Sequence, residues 1–202
     1  MATGAGEFEA IVLAAGAGSR FGGGKLLAPW RGGVLLDGAL SAAFAAPVIR
    51  VIVVTGTDAE AVDAAARAFA RRTGELARLH VIHADDYAEG MGASLRRGAA
   101  ELPTDCAGVF VLLGDMPRVP HAVLARLAEA VRAGAPAAAP VFEGQRGHPA
   151  LLGQELLPQL PALSGDVGAR AILKDLGDRL VLVDAPDDGV LFDVDERSDL
   201  PG

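Results

Sequence analysis

The sequence predicts a three-layer α/β/α domain on a mixed but mainly parallel sheet, and three observations carry that prediction. Short apolar runs of strand length recur along the 202 residues. Several of them end in glycine or aspartate. Stretches with apolar positions at helical spacing separate them. Strands alternating with helices imply βαβ units, right-handed crossovers and a sheet covered on both faces.

The first strand is Ile11 to Ala15, an unbroken apolar run of the kind buried on both faces, and it feeds a glycine-rich loop and then an apolar helical stretch. Val48 to Thr55 repeats the strand pattern and stops at Gly56. Asp58 to Arg72 reads as an Ala-rich helix with Thr57 placed to cap it. Leu79 to Ala84 is a third strand, Met91 to Leu102 a helix, and Val109 to Leu113 a fourth strand that ends in Gly114-Asp115. His121 to Ala133 is helical, Ala137 to Phe142 and Pro149 to Leu152 are weaker strands, Asp166 to Leu176 is a helix, and Leu180 to Val183 a late strand. With no repeat and no long linker, one domain is expected over residues 1–202, with Met1 to Gly6 disordered.

Composition narrows the function classes. Hydrophobic residues at 51% and charged residues at 22% give a globular balance, and with aromatics at only 4% the core must be built from Ala, Val and Leu. The net charge of −8 argues against a broad nucleic-acid surface, while leaving room for a local basic patch around one nucleotide. Cys106 is the single cysteine, so no intrachain disulfide can form and a cytoplasmic location is expected. Glu7 and Glu9 stand where a signal peptide would be basic, and no apolar run reaches 18 residues, so neither a leader nor a membrane partner is expected.

The most informative segment is LAAGAGSRFGGGK, Leu13 to Lys25. Its glycines let the backbone approach a ligand, successive N–H groups can cradle phosphate, and Arg20 and Lys25 supply cations for the outer phosphates. The dinucleotide motif G-x-G-x-x-G fails, because Phe21 stands at its last position; the P-loop fails at Ser19 and Leu26. Asp115 follows a buried parallel strand, at the edge where open α/β sheets bind ligands, and suits Mg²⁺, which takes one or two carboxylates plus phosphate oxygens. Near the C-terminus, FDVDERSDL offers Asp193, Asp195 and Asp199; strand alternation would put Asp193 and Asp195 on one side, and a solvated acidic tail is the competing reading. AEGMGASLRRG opens a helix whose N–H groups can meet a phosphate or a base edge, although an ordinary helix start with Arg96 and Arg97 solvated explains the same letters. GQRGHPALL sets Arg146 beside His148, and SGDVGARAIL carries Arg170 and Asp166, the latter a candidate N-cap. Cys106 reads as structural, and His80 and His83 form no zinc-ligand cluster.

Together these segments resemble the nucleotidyltransferases similar to MobA, and within them the molybdenum cofactor cytidylyltransferases. The resemblance runs from Leu13 to Leu200 in six ordered segments: L-A-A-G-x-G-x-R-x-G-x-x-K, G-M-x-x-S-L, G-D-M-P, R-G-H-P, G-D-x-G-A-R and the acidic D-x-D segment. It implies a Rossmann-like fold of the nucleotide-diphospho-sugar transferase type. It implies Leu13, Ala14, Ala15, Gly16, Gly18, Arg20, Lys25, Gly92, Ser94 and Gly114 around the nucleotide, with Arg20, Lys25 and Asp115 catalytic. Asp115 and Asp195 would hold Mg²⁺, and Arg146, His148, Asp166 and Arg170 would shape the acceptor site. The C-terminal segment departs from the family's D-I-D-T-P-E-D by having Glu196-Arg197-Ser198 in place of T-P-E.

The implied reaction is transfer of CMP from CTP to the phosphate of molybdenum-molybdopterin, serving a molybdenum hydroxylase or its chaperone. Ala15, where guanylyl relatives have L-A-G-G, favours CTP over GTP. Such an acceptor is already an anion, so no general base is needed, consistent with the lack of a Ser-His-Asp or Cys-His pairing. The competing readings are guanylyl transfer, transfer to a sugar phosphate or methylerythritol phosphate, and a non-catalytic protein that binds the cofactor. R-G-H-P and G-D-V-G-A-R weigh against the sugar readings, and intact Arg20, Lys25 and Asp115 against the binder.

Overall fold

The computed structural model describes residues 7–200, so the disorder expected for Met1 to Gly6 lies outside the described residues. The strands are β1 (Phe8–Ala14), β2 (Pro29–Trp30), β3 (Gly33–Val34), β4 (Val48–Thr55), β5 (Leu79–His83), β6 (Gly108–Leu113), β7 (Ala137–Phe142), β8 (Gln145–Arg146), β9 (Ala150–Gly153) and β10 (Leu180–Asp184). The helices are α1 (Leu35–Ala45), α2 (Ala59–Thr73), α3 (Met91–Ala99), α4 (Ala122–Arg132) and α5 (Arg170–Asp175).

One sheet has the order β10-β7-β9-β6-β1-β4-β5, with β8 paired to β7, while β2 and β3 form a separate hairpin. Strands β5, β4, β1 and β6 are mutually parallel. Strand β9 runs antiparallel to both β6 and β7, and β10 is parallel to β7. Alternation along β1 divides the core between two layers. Ala10, Val12 and Ala14 face one cluster with Leu36 of α1, Val62 of α2 and Leu124 of α4; Ile11 and Leu13 face another with Leu95 of α3 and Ile172 of α5. This is the three-layer, mainly parallel mixed arrangement that the sequence predicts.

Four local expectations change. Thr57 does not cap α2: the helix starts at Ala59, Asp58 adopts a left-handed conformation (φ 57°), and no side chain caps the end. The stretch from Asp166 does not form one helix, because a 3-10 turn (Gly165–Val167) is followed by Gly168 at φ 51°, a conformation that breaks the helical path, and α5 begins only at Arg170. Asp166 is therefore inside a turn and caps nothing by side chain. Asp193 to Asp195 form no strand, since that segment meets the end of β6 through one backbone bond, Val194 N–H to the Asp115 carbonyl at 3.1 Å, rather than along a ladder. Its anchor is Val194, fully buried against Phe21, Trp30 and Leu35.

Candidate active site

The order β5-β4-β1-β6 makes the end of β1 a switch point. From β1 the chain crosses to β4 on one side, while β6 lies on the other, so the loops after β1 and β6 part and leave a crevice. The Gly114 amide bonds the Leu13 carbonyl at 2.9 Å and holds the two strand ends together. In the loop after β1, the Gly18 carbonyl accepts from the amides of Phe21, Gly22 and Gly23 at 3.0–3.2 Å. Gly18 itself has φ 56°, and a Cβ there would stand 2.9 Å from the Lys25 Cβ, so both conformation and space require glycine. The turn consumes those later amides, whereas the amides of Gly16, Ala17 and Gly18 take part in no hydrogen bond among the described residues.

A cavity of about 510 Å³ opens over these amides. Leu13 to Gly18, Lys25 and Asp115 form one side; Tyr87, Ala88, Gly90, Met91 and Ser94 form the other. At its mouth two cations and two carboxylates neutralise each other. Lys25 Nζ donates to Asp115 Oδ2 at 2.6 Å and lies 3.7 Å from Asp195 Oδ1, while Arg20 Nη1 donates to Asp195 Oδ2 at 2.6 Å. Asp199 Oδ2 accepts from the amides of Asp195 and Glu196 at 2.9 and 2.8 Å, which fixes the backbone under Asp195 and lowers the pKa of Asp199. Asp193 is open to solvent at its edge, yet partial desolvation and the charges of Asp115 and Asp195 raise its pKa. Two oxygen-donor side chains facing a phosphate-sized opening suit a hard divalent ion that completes its shell with phosphate and water. No group of three or more His, Cys, Asp or Glu side chains arranged to hold a metal occurs among the described residues.

A second pocket, of about 160 Å³, adjoins the first and shares Met91, Leu113 and Asp166 with it. Arg146, His148 and Arg170 line it. Their arrival here follows from β9. Because β9 opposes its neighbours, the residues just before it stand at the edge where the parallel strands end. Burial, aided by Arg146, pulls the His148 pKa from 6.5 to about 4, so the imidazole is neutral at pH 7. Its Nδ1 is buried without a hydrogen-bond partner among the described residues.

The structure thus gathers Leu13, Ala14, Ala15, Gly16, Gly18, Lys25, Ser94 and Asp115 on the larger cavity, and Arg146, His148 and Arg170 on the smaller, with Asp166 on both. Arg20 and Asp195 form the outer ion pair. Gly92 and Gly114 line neither cavity. A Cβ on Gly92 would meet the Ser164 backbone at 2.8 Å, and one on Gly114 would meet the Leu13 carbonyl at 3.0 Å, so both positions serve close packing. Tyr87 is the residue that sequence reading passes over. Its ring rests on Gly56, where an added Cβ would be 2.6 Å from Cγ; it sits just outside the segment AEGMGASLRRG, and only its being the sole tyrosine sets it apart.

Comparison with known proteins adds three findings. The family model described as the MobA-like NTP transferase domain matches residues 10–180. The chain is 34% identical over 172 residues to a nicotine blue oxidoreductase of Paenarthrobacter nicotinovorans (81% of this chain, 80% of that protein) and 28% identical over 151 residues to a molybdenum cofactor cytidylyltransferase of Escherichia coli K12 (75% and 72%). A Mycobacterium tuberculosis H37Rv protein solved in complex with manganese has the same fold, with TM-score 0.72, 27% identity and 90% of each chain covered. No helix among the described residues is long and apolar enough to cross a membrane.

Proposed function

The chain belongs to the MobA-like NTP transferase family and is a nucleotidyltransferase, and from that premise we propose that it moves CMP from CTP to the phosphate of molybdenum-molybdopterin. The products would be pyrophosphate and molybdopterin cytosine dinucleotide. One observation carries the reading: a pocket lined by Arg146 and Arg170 adjoins the glycine-loop cavity that Asp115 lines, sharing Met91, Leu113 and Asp166 with it. Two adjoining sites, each suited to an anion, are what phosphate-to-phosphate transfer requires.

In this reading the Gly16 to Gly18 amides hold the triphosphate. An acceptor phosphate oxygen, set by Arg146 and Arg170, attacks the α-phosphorus; the new P–O bond forms as the bond to the β-phosphate bridge breaks and pyrophosphate departs. Arg20 and Lys25 turn from their carboxylates to the outer phosphates and stabilise the leaving charge. A divalent ion, Mg²⁺ by this proposal, held by Asp115 and Asp195 would neutralise phosphate oxygens. Neutral His148 offers a hydrogen-bonding ring without adding charge. Ala15 lines the cavity where L-A-G-G relatives carry glycine, and by this proposal favours CTP over GTP. The single buried cysteine fits a cytoplasmic enzyme that hands its product to a molybdenum hydroxylase or its chaperone.

Pyrophosphate release with Mg²⁺ and CTP, GTP, ATP or UTP, with and without molybdopterin, tests this. The expected result is CTP turnover that depends on molybdopterin. Turnover with GTP would keep the chemistry and overturn the Ala15 argument; turnover with a sugar phosphate or methylerythritol phosphate would overturn the acceptor. Cofactor binding without turnover would make the chain an accessory protein. The 34% identity to the nicotine blue oxidoreductase favours a second reading. That reading is oxidation or reduction of nicotine blue, and a change in nicotine blue absorbance that depends on the chain and a redox partner, without pyrophosphate release, would support it.

A further inference from the structure

We propose that Arg96 is a positioning residue that sets the width of the cleft by tying its two walls together behind α3; the inference rests on the nucleotidyl-transfer reading above. One wall is the turn Tyr87–Glu89, whose Tyr87 and Ala88 line the larger cavity. The other is the stretch 163–168, whose Asp166 lines both cavities. No backbone hydrogen bond joins these walls among the described residues.

Arg96 supplies the missing connection. Its Nη1 donates to the Leu163 carbonyl at 2.6 Å, and its Nη2 donates to the carboxylates of Asp86 and of Glu89, the latter at 3.3 Å. Asp86 and Glu89 bracket Tyr87, so one planar guanidinium fixes the base of each wall. The side chain lines neither cavity, so its influence passes through Tyr87 and Asp166.

The walls are seated closely enough for a small displacement to matter. An added Cβ would meet Asp166 and Gly165 at 2.5 Å from Gly90, Ser164 at 2.8 Å from Gly92, and the Met91 sulfur at 3.0 Å from Gly168. These three contacts form a seam between the start of α3 and the 164–168 stretch. Arg97 provides an internal contrast, because it pairs at 2.6 Å with Glu101, in the turn just past the end of its own helix, and bonds to neither wall.

The test compares Arg96→Ala, Arg96→Lys and Arg97→Ala. Partly exposed ion pairs contribute little to global stability, so thermal midpoints of all three should stay close to the parent. Arg96→Ala should raise the CTP dissociation constant and the acceptor KM about tenfold while leaving kcat within about twofold. Arg96→Lys, which keeps the charge but loses the planar fork, should fall between. Hydrogen exchange should quicken in 85–90 and 163–168 together in Arg96→Ala, and in neither segment in Arg97→Ala. Unchanged exchange in either wall, or quickening spread over the whole chain with a matching thermal loss, would overturn the assignment. If the parent binds no nucleotide, the transfer reading fails, and the exchange comparison still decides whether Arg96 joins the walls.

Discussion

The two halves of the sheet reach the same edge by different routes. In β5-β4-β1-β6 every strand is parallel, and the end of β1 delivers the glycine loop in a single stretch of sequence. In the other half β9 runs against both neighbours, and only that reversal brings Arg146 and His148, which precede it, to the edge where the parallel strands finish. Arg170 joins them from the start of α5. The first half offers backbone amides and a cation–carboxylate cluster, suited to any triphosphate. The second offers a pocket whose side chains can choose a partner. On the proposed reading, transfer chemistry belongs to the parallel half and acceptor choice to the mixed half.

Substitutions at three positions can break or sharpen that division. The largest effect is expected at Asp115. Asp115→Ala should lower turnover about a thousandfold or more with every acceptor, because the group acts on the phosphates common to all of them. Asp115→Asn should also abolish turnover, yet tighten metal-free CTP binding about threefold or more by removing a negative charge and freeing Lys25. Weaker binding there would show that the carboxylate does not compete with the triphosphate for Lys25; titration calorimetry in chelator reads it.

An intermediate effect belongs to the acceptor half. Arg170→Ala should raise the acceptor KM about ten- to a hundredfold while the dissociation constant of CTP stays unchanged. A parallel loss of CTP affinity would dissolve the division between halves. The smallest concerns stability. The unfolded imidazole of His148 takes a proton near pH 6.5, whereas the folded one resists until about pH 4. The unfolded state therefore binds more protons inside that window. Stability should be complete above pH 6.5 and fall as pH drops toward 4, by up to about 3 kcal/mol. In His148→Gln this portion of the acid dependence should vanish from urea midpoints measured across the window.

What could be read in the sequence follows the same divide. The strand runs of the parallel half and the glycine loop are local patterns, and Ile11 to Ala15, Val48 to Thr55 and Val109 to Leu113 fall on β1, β4 and β6 with only their bounds adjusted. Arg146, His148 and Arg170 were singled out through family resemblance as proposed acceptor residues, while their convergence on one pocket depends on the direction of β9, which no local pattern encodes. The 166–176 stretch reads as one helix because its apolar spacing is helical, and nothing in the letters shows that Gly168 turns left-handed. The FDVD segment alternates like a strand, but there is no neighbouring ladder for it to join. Gly92 and Gly114 read as ligand-approach glycines, and the structure gives each a packing reason as well, since close approach to protein and to ligand select the same residue.

The bond from the Val194 amide to the Asp115 carbonyl has a consequence for how this protein can drift. Its donor and acceptor are main-chain atoms, present whatever side chain occupies position 115 and whatever residue but proline occupies position 194. Asp199 then grips two further amides, those of Asp195 and Glu196. The backbone at Asp195 is thus moored by peptide groups and by Asp199, four residues on, rather than by a ladder of strand pairing. Glu196-Arg197-Ser198 can replace T-P-E at little cost, and the tail of this chain can be rewritten in its spelling while its anchored acid keeps its place.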